Sequence, residues 1–186
     1  MNIKLFIKKH FSIPSYPYPC SDIMKKKYDL SVAKAKDKVN YVLCRDKYSI
    51  SFLNHQTHEA YLRANLDLLN AKTFDRFMKS YDNLIDALLC QLLLKRRAKA
   101  DLNDPYQLLQ DALDSRSSMT DGMITDFYFE TVLSKKTEKG KTNGLNYFTN
   151  TMHRYIDVLS LDNINTVNSI CEFQVINPNG MRWLKK

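Results

Sequence analysis

From Cys20 to Asp104 the chain contains neither proline nor glycine. These are the strongest local breakers of regular structure. A stretch this long without them, with apolar residues recurring at intervals of three and four, has one ready solution: a series of amphipathic helices packed on a shared core. The breakers cluster elsewhere, at Pro14, Pro17 and Pro19, at Pro105, at Gly122, Gly140 and Gly144, and at Pro178 and Gly180.

The pattern predicts a mainly α protein, a compact bundle of five to seven helices. Residues 1–20 form an extended N-terminal arm and residues 21–186 a single helical domain. From Ser12 to Pro19 each proline biases its predecessor toward the extended region, so this part of the arm should lie along a surface. Ser21 or Asp22 caps a first helix, which continues or restarts from Ser31 to about Arg45. Tyr48–Leu53 alternates in polarity and fits a short strand or equally a helical continuation, with a break as the preferred reading. Thr57 is placed to cap a helix to about Asn70, and Thr73 to cap the longest one, to about Ala100. Phe74, Phe77, Met78, Tyr81, Leu84, Ile85 and Leu88 make one wide stripe on it. Near its end Leu88, Leu89, Leu92, Leu93 and Leu94 run most of the way round, which puts this part at the centre of the core. Asp104 and Pro105 make a strong start for a helix that buries Leu108, Leu109 and Leu113 and stops near Ser115. A further helix is expected over Thr120–Leu133, with Leu133 inward. Ser134–Gly144 reads as a polar, basic, exposed loop, and Leu145–Leu159 as the last clear helix. β-Branched residues rise from Ile164 to Ile176, so a small strand pair joining this segment to residues 2–7 is a possible addition. Asn177–Gly180 reads as a turn, and Trp183 as an anchor for the tail.

The formal net charge is +8, and its layout is uneven. Residues 1–47 carry a net +7 and residues 48–100 a net +3; residues 101–134 carry −6 and residues 135–146 carry +3. A basic excess of this kind raises the local concentration of polyanions and speeds encounter with them. Lysine outnumbers arginine, which suits contact with a phosphate backbone better than bidentate reading of bases. The clusters are Lys25, Lys26 and Lys27; Lys34, Lys36 and Lys38; Lys95, Arg96, Arg97 and Lys99; and Lys135, Lys136, Lys139 and Lys141. Tyr16, Tyr18, Tyr28, Tyr41 and Tyr48 are interleaved with the N-terminal cations and could stack on unpaired bases or bury their rings in the core.

Specific chemistry is hard to place. Cys20, Cys44, Cys90 and Cys171 are far apart in sequence with no CxxC pair, which argues against a zinc ribbon or thioredoxin-type site and for free thiols in a reducing, cytoplasmic setting. His55 and His58, with Glu59 beside them, are the one metal-like local pattern, but zinc needs three or four ligands and neither zincin spacing is met. His153 and Asp157 stand four apart, the spacing of an orienting carboxylate and a general base, with no nucleophile assignable to them. Gly140, Lys141 and Thr142 match the end of a phosphate loop without its upstream glycine. No arginine is followed after four to six residues by a histidine, which removes one class of helical ribonuclease. No metal or cofactor is expected, and no apolar run approaches the roughly 20 residues of a membrane span.

The expectation is therefore a non-enzymatic helical protein that docks on nucleic acid or a nucleic-acid-containing complex without base-specific readout. The residues assigned to phosphate contact are Lys25, Lys26, Lys27, Lys95, Arg96, Arg97, Lys99, Lys135, Lys136, Lys139 and Lys141. The alternative is a protein-interaction module, an adaptor, inhibitor or assembly subunit, docking through its N-terminal arm and a helix face. An enzyme with a site assembled from His55, His58 and His153 is a third possibility.

Overall fold

A computed structural model describes residues 12–17, 20–45, 47–97 and 103–172. Among the described residues there are six α-helices and no strand. They are α1 (Asp22–Leu43), α2 (Lys47–Leu69), α3 (Phe74–Arg97), α4 (Asn103–Tyr128), α5 (Glu138–Tyr155) and α6 (Leu161–Glu172). A π turn, Phe129–Leu133, ends α4, and a 3₁₀ turn, Ile156–Val158, ends α5. The mainly α architecture read from the sequence is the one observed.

Contacts divide the chain into two compact units. Unit 1 holds the described residues of Met1–Pro17, Lys26–Ala71 and Arg76–Asp114; unit 2 holds those of Tyr18–Lys25, Lys72–Asp75 and Ser115–Lys186.

Unit 1 is built on α3. Its aliphatic side chains Leu88, Leu89 and Leu92 are almost wholly buried, as the wrap-around leucine pattern requires. Against them pack Tyr28 and Ala35 of α1, Ala64 of α2 and Tyr106, Leu109 and Leu113 of α4. Val39, Leu53 and Leu94 form a smaller cluster. The described part of the arm, residues 12–17, has no regular secondary structure and lies on this unit: Pro14 is buried, and Ile13 and Tyr16 pack against the main cluster. The Tyr28 hydroxyl donates to the Pro14 carbonyl at 2.7 Å, and the Tyr16 and Tyr28 rings meet edge to face at 5.4 Å. Burial, reinforced by Tyr16, pushes the Tyr28 hydroxyl above the usual tyrosine range.

Unit 2 is packed with rings. Phe74, at the start of α3, meets Phe127 at 6.2 Å and Tyr155 at 5.2 Å; Phe127 meets Phe148 at 5.8 Å, and Tyr128 meets Phe148 edge to face at 5.2 Å. Tilted and edge-to-face arrangements at these distances are the favoured ones for aromatic pairs. One set of buried polar groups here is satisfied internally. Asn163, with no exposed surface, donates from Nδ2 to the Ser117 carbonyl and to Asp121 Oδ1, each at 2.8 Å. Its Oδ1 accepts from the Ser160 backbone N–H, and Ser160 Oγ accepts from the Asn163 N–H, both at 3.1 Å. This reciprocal pair is a capping box at the start of α6.

Several local expectations are corrected. Tyr48–Leu53 is helical, because α2 begins at Lys47 after a turn at Cys44 and Arg45; Thr57 therefore lies inside α2, buried, its Oγ1 donating to the Asn54 carbonyl at 3.0 Å. Helix α4 does not stop near Ser115. Leu113, Arg116, Thr120, Ile124 and Phe127 continue one buried stripe at helical spacing, which outweighs the modest helix propensity of three serines and Gly122. Leu108 and Leu133, expected inward, are exposed. The loop expected over Ser134–Gly144 is a short connection: Thr137 caps α5, its Oγ1 accepting from the Gly140 N–H at 3.1 Å. Gly144 is buried, and a Cβ there would overlap the Thr131 carbonyl, so this glycine permits close helix approach rather than marking a loop. The segment from Ile164 is helix α6 up to Glu172: Ile164, Val167 and Cys171 recur at three and four, and this period prevails over β-branched composition. Residues 2–7 and 173–186, including the expected turn at Asn177–Gly180 and Trp183, lie outside the described residues.

Candidate nucleic-acid interface

Because α1 is unbroken, its lysines have a defined helical phase. Lys25, Lys26, Lys27, Lys34, Lys36 and Lys38 are all exposed. Lys27, Lys34 and Lys38, separated by seven and four residues, share one side of the helix. Lys27 is held by Asp82 of α3 at 2.6 Å. Lys34 and Lys38 border a cleft of about 350 Å³ in unit 1, with Arg63 of α2 opposite them. Its lining includes the buried small side chains Ala35, Ala64, Ala87 and Cys90, the exposed Ala60, and the polar Gln56, Asn83, Asp67 and Asp86. The cleft exists because alanines occupy positions where larger side chains would close the helix contacts. At the end of α1, Tyr41 is exposed, and the Arg45 guanidinium lies 4.7 Å from its ring centroid while donating to its hydroxyl at 2.5 Å.

The other clusters fare differently. Arg96 is half-buried and donates to the Ser12 carbonyl; burial lowers its guanidinium from the ordinary arginine value. Arg97 donates to Asn40 Oδ1 at 3.1 Å. Two of the cations at the end of α3 thus hold other parts of unit 1, Lys95 is half-buried, and Lys99 lies outside the described residues. In unit 2, Lys135, Lys136 and Lys139 are exposed around the start of α5, and Lys141 pairs with Glu138 at 2.9 Å. Sequence reasoning named Lys34 and Lys38 as a cluster but left them, and Arg63, out of the assigned site. The signal that finds them is the seven-and-four spacing, once α1 is known to be continuous.

His55 and His58 are exposed on α2. His55 Nε2 lies 3.4 Å from Glu59 Oε1, and the His58 ring stacks on Tyr61 at 6.4 Å. No group of three or more histidine, cysteine, aspartate or glutamate side chains stands together as a metal site among the described residues. His153 and Asp157 are exposed in unit 2, where the backbone carbonyl of Asp157 accepts from Ser21 Oγ at 2.5 Å. The four cysteines are free; Cys44 is exposed, Cys90 and Cys171 are buried, and burial raises both buried thiols, Cys171 to about 11. No described helix is long and apolar enough to cross a membrane.

No protein-family model, no curated protein and no solved structure matches this chain.

Proposed function

We propose that the chain docks on nucleic acid through phosphate contacts, without reading base sequence. The observation that supports this reading is the cationic side of α1. Lys27 to Lys38 spans about 16 Å along the helix, a length over which one strand of a duplex carries about five phosphates. Lys34 and Lys38 with Arg63 across the cleft are the first contacts, since Lys27 is shared with Asp82. Exposed Tyr41, about one turn beyond Lys38 on the same helix, offers a ring on which an unpaired base can stack. Arg96 and Arg97 serve the fold, and the described part of the arm is packed on its own unit.

The test is the binding of a labelled duplex and a labelled single strand of arbitrary sequence, followed by fluorescence anisotropy as salt is raised. Affinity is expected to fall steeply with salt. Replacing Lys34 and Lys38 by glutamate is expected to reduce the slope of log K against log salt on the duplex by about 2, at about 0.9 per phosphate contact. An unchanged slope, or no salt-sensitive binding by the unmodified protein, overturns the reading.

A further inference from the structure

The cleft lined by α1, α2 and α3 in unit 1 carries more chemistry than phosphate contact uses. Lys34, Lys38 and Arg63 line it together with two carboxylates, Asp67 and Asp86. All five residues are exposed, and no ion pair joins any of them to another described residue. Gln56 and Asn83, also exposed, belong to the same lining. For a ligand that is phosphate alone the two carboxylates are a liability, because like charges repel. A ligand that joins an anion to N–H donors uses both signs. The inner lining is small and largely apolar, with Ala35, Ala64, Ala87 and Cys90 buried. Burial is the main cause that raises the Cys90 thiol; Lys38 opposes the rise and Asp86 adds to it, so both charges are felt at this inner surface.

We infer that the cleft takes one unpaired nucleotide whose base carries an exocyclic amino group, with cytosine favoured over thymine. This rests on the nucleic-acid reading above and adds to it: the phosphate contacts stay indifferent to sequence, and discrimination is confined to a single unstacked base. At about 350 Å³ the cleft is at the small end of the roughly 300–1,000 Å³ of ligand clefts, room for one nucleotide rather than a run of them. Three cations against two carboxylates give the lining a formal charge of +1, the complement of one phosphodiester. The cations hold the phosphate, and the alanines offer apolar surface to the faces of the base. Ionised carboxylates only accept hydrogen bonds. The N4 amino group of cytosine donates to them, whereas thymine presents its O4 carbonyl at that position. The amides of Gln56 and Asn83, which donate and accept, serve the other polar atoms of the ring edge. A duplex keeps each base stacked and its pairing edge occupied, so the cleft favours a single strand or an unpaired end.

The experiment is fluorescence anisotropy on the full chain at neutral pH, with labelled oligo-dC, oligo-dT and a duplex of equal length. Oligo-dC is expected to bind at least about fivefold more tightly than oligo-dT, the lower bound for one well-made base contact. Asp67→Asn combined with Asp86→Asn puts a donor beside each acceptor and should abolish that preference. The same variant should not weaken duplex binding, because it removes two negative charges from the site. Ala60→Phe, at an exposed position on the lining, fills the cleft and should cost oligo-dC at least about fivefold in affinity relative to the duplex. Both variants change exposed residues and should keep the circular dichroism spectrum of the unmodified protein. Equal binding of oligo-dC and oligo-dT, with both salt-sensitive, overturns the inference and leaves the phosphate reading standing. A preference that survives either variant also overturns it, since the base is then read elsewhere. Absence of salt-sensitive binding to every strand overturns both.

Discussion

The two units of this chain solve the same packing problem with different materials. Unit 1 gathers aliphatic side chains around α3, and where α1 and α2 meet that helix it uses alanine, leaving a cleft. Unit 2 fills its contacts with the rings of Phe74, Phe127, Tyr128 and Phe148, and inside it Asn163, Ser160 and Ser117 satisfy one another's polar groups. The difference shows how side-chain size at helix contacts divides labour. Small residues leave concave, charge-lined surface available to a partner, whereas rings and paired polar groups spend their volume and hydrogen bonds on the fold itself. The candidate interface accordingly falls in unit 1.

Truncating the anchor of each unit gives the largest expected effect. Phe148→Ala should lower stability by about 3–5 kcal/mol and Leu89→Ala by about 2–5 kcal/mol, read from denaturant unfolding. A loss below about 2 kcal/mol for Phe148→Ala would show that the ring cluster is not what holds unit 2. Next comes Gly144→Ala. The added methyl meets the Thr131 backbone, which cannot turn aside as a side chain can, and the expected loss is about 1–3 kcal/mol. A neutral result would mean that α5 and the π turn shift apart without penalty.

The smallest effect concerns alkaline pH. Cys171 has its thiol raised by burial from 9.0 to about 11. Between those values the unfolded chain releases a proton that the folded chain still holds, so the stability associated with this thiol is fully present below about pH 9 and is lost as pH rises toward 11. Cys171→Ala should flatten that part of the curve. In native protein near neutral pH, exposed Cys44 should react with a thiol reagent well ahead of Cys90 and Cys171. Prompt labelling of Cys171 would show that unit 2 opens more readily than its packing implies.

How far the sequence discloses this molecule depends on the range over which each feature is decided. Helix α3 was legible because its stripe is local and strong: Phe74, Phe77, Met78, Tyr81 and Leu88 are all buried as their spacing requires. Errors arose where composition competed with period, as in Ile164–Cys171, or where a helix ran through weak formers for the sake of burial, as at Ser115–Ser118. Gly144 misled because a glycine that admits a neighbouring backbone is indistinguishable in sequence from one that ends a helix. Among the candidate site residues, charge was visible but occupation was not. Arg96 is engaged by Ser12 and Arg97 by Asn40, partners 84 and 57 positions away. Exposed leucines of α2, such as Leu66, carry the same letters as buried ones, and only the packed structure separates them.

The division between the units falls inside three helices. Asp22–Lys25 of α1 belong to unit 2 and the rest of that helix to unit 1; α3 changes membership after Asp75, and α4 after Asp114. Cutting α4 at its middle would orphan about four C=O groups on one side of the cut and about four N–H groups on the other. Neither unit can therefore be excised and grafted elsewhere as a cassette, and a rearrangement that exchanged one of them would need five simultaneous joints, three of them inside helices. Expression of either unit without the other is expected to give no folded product.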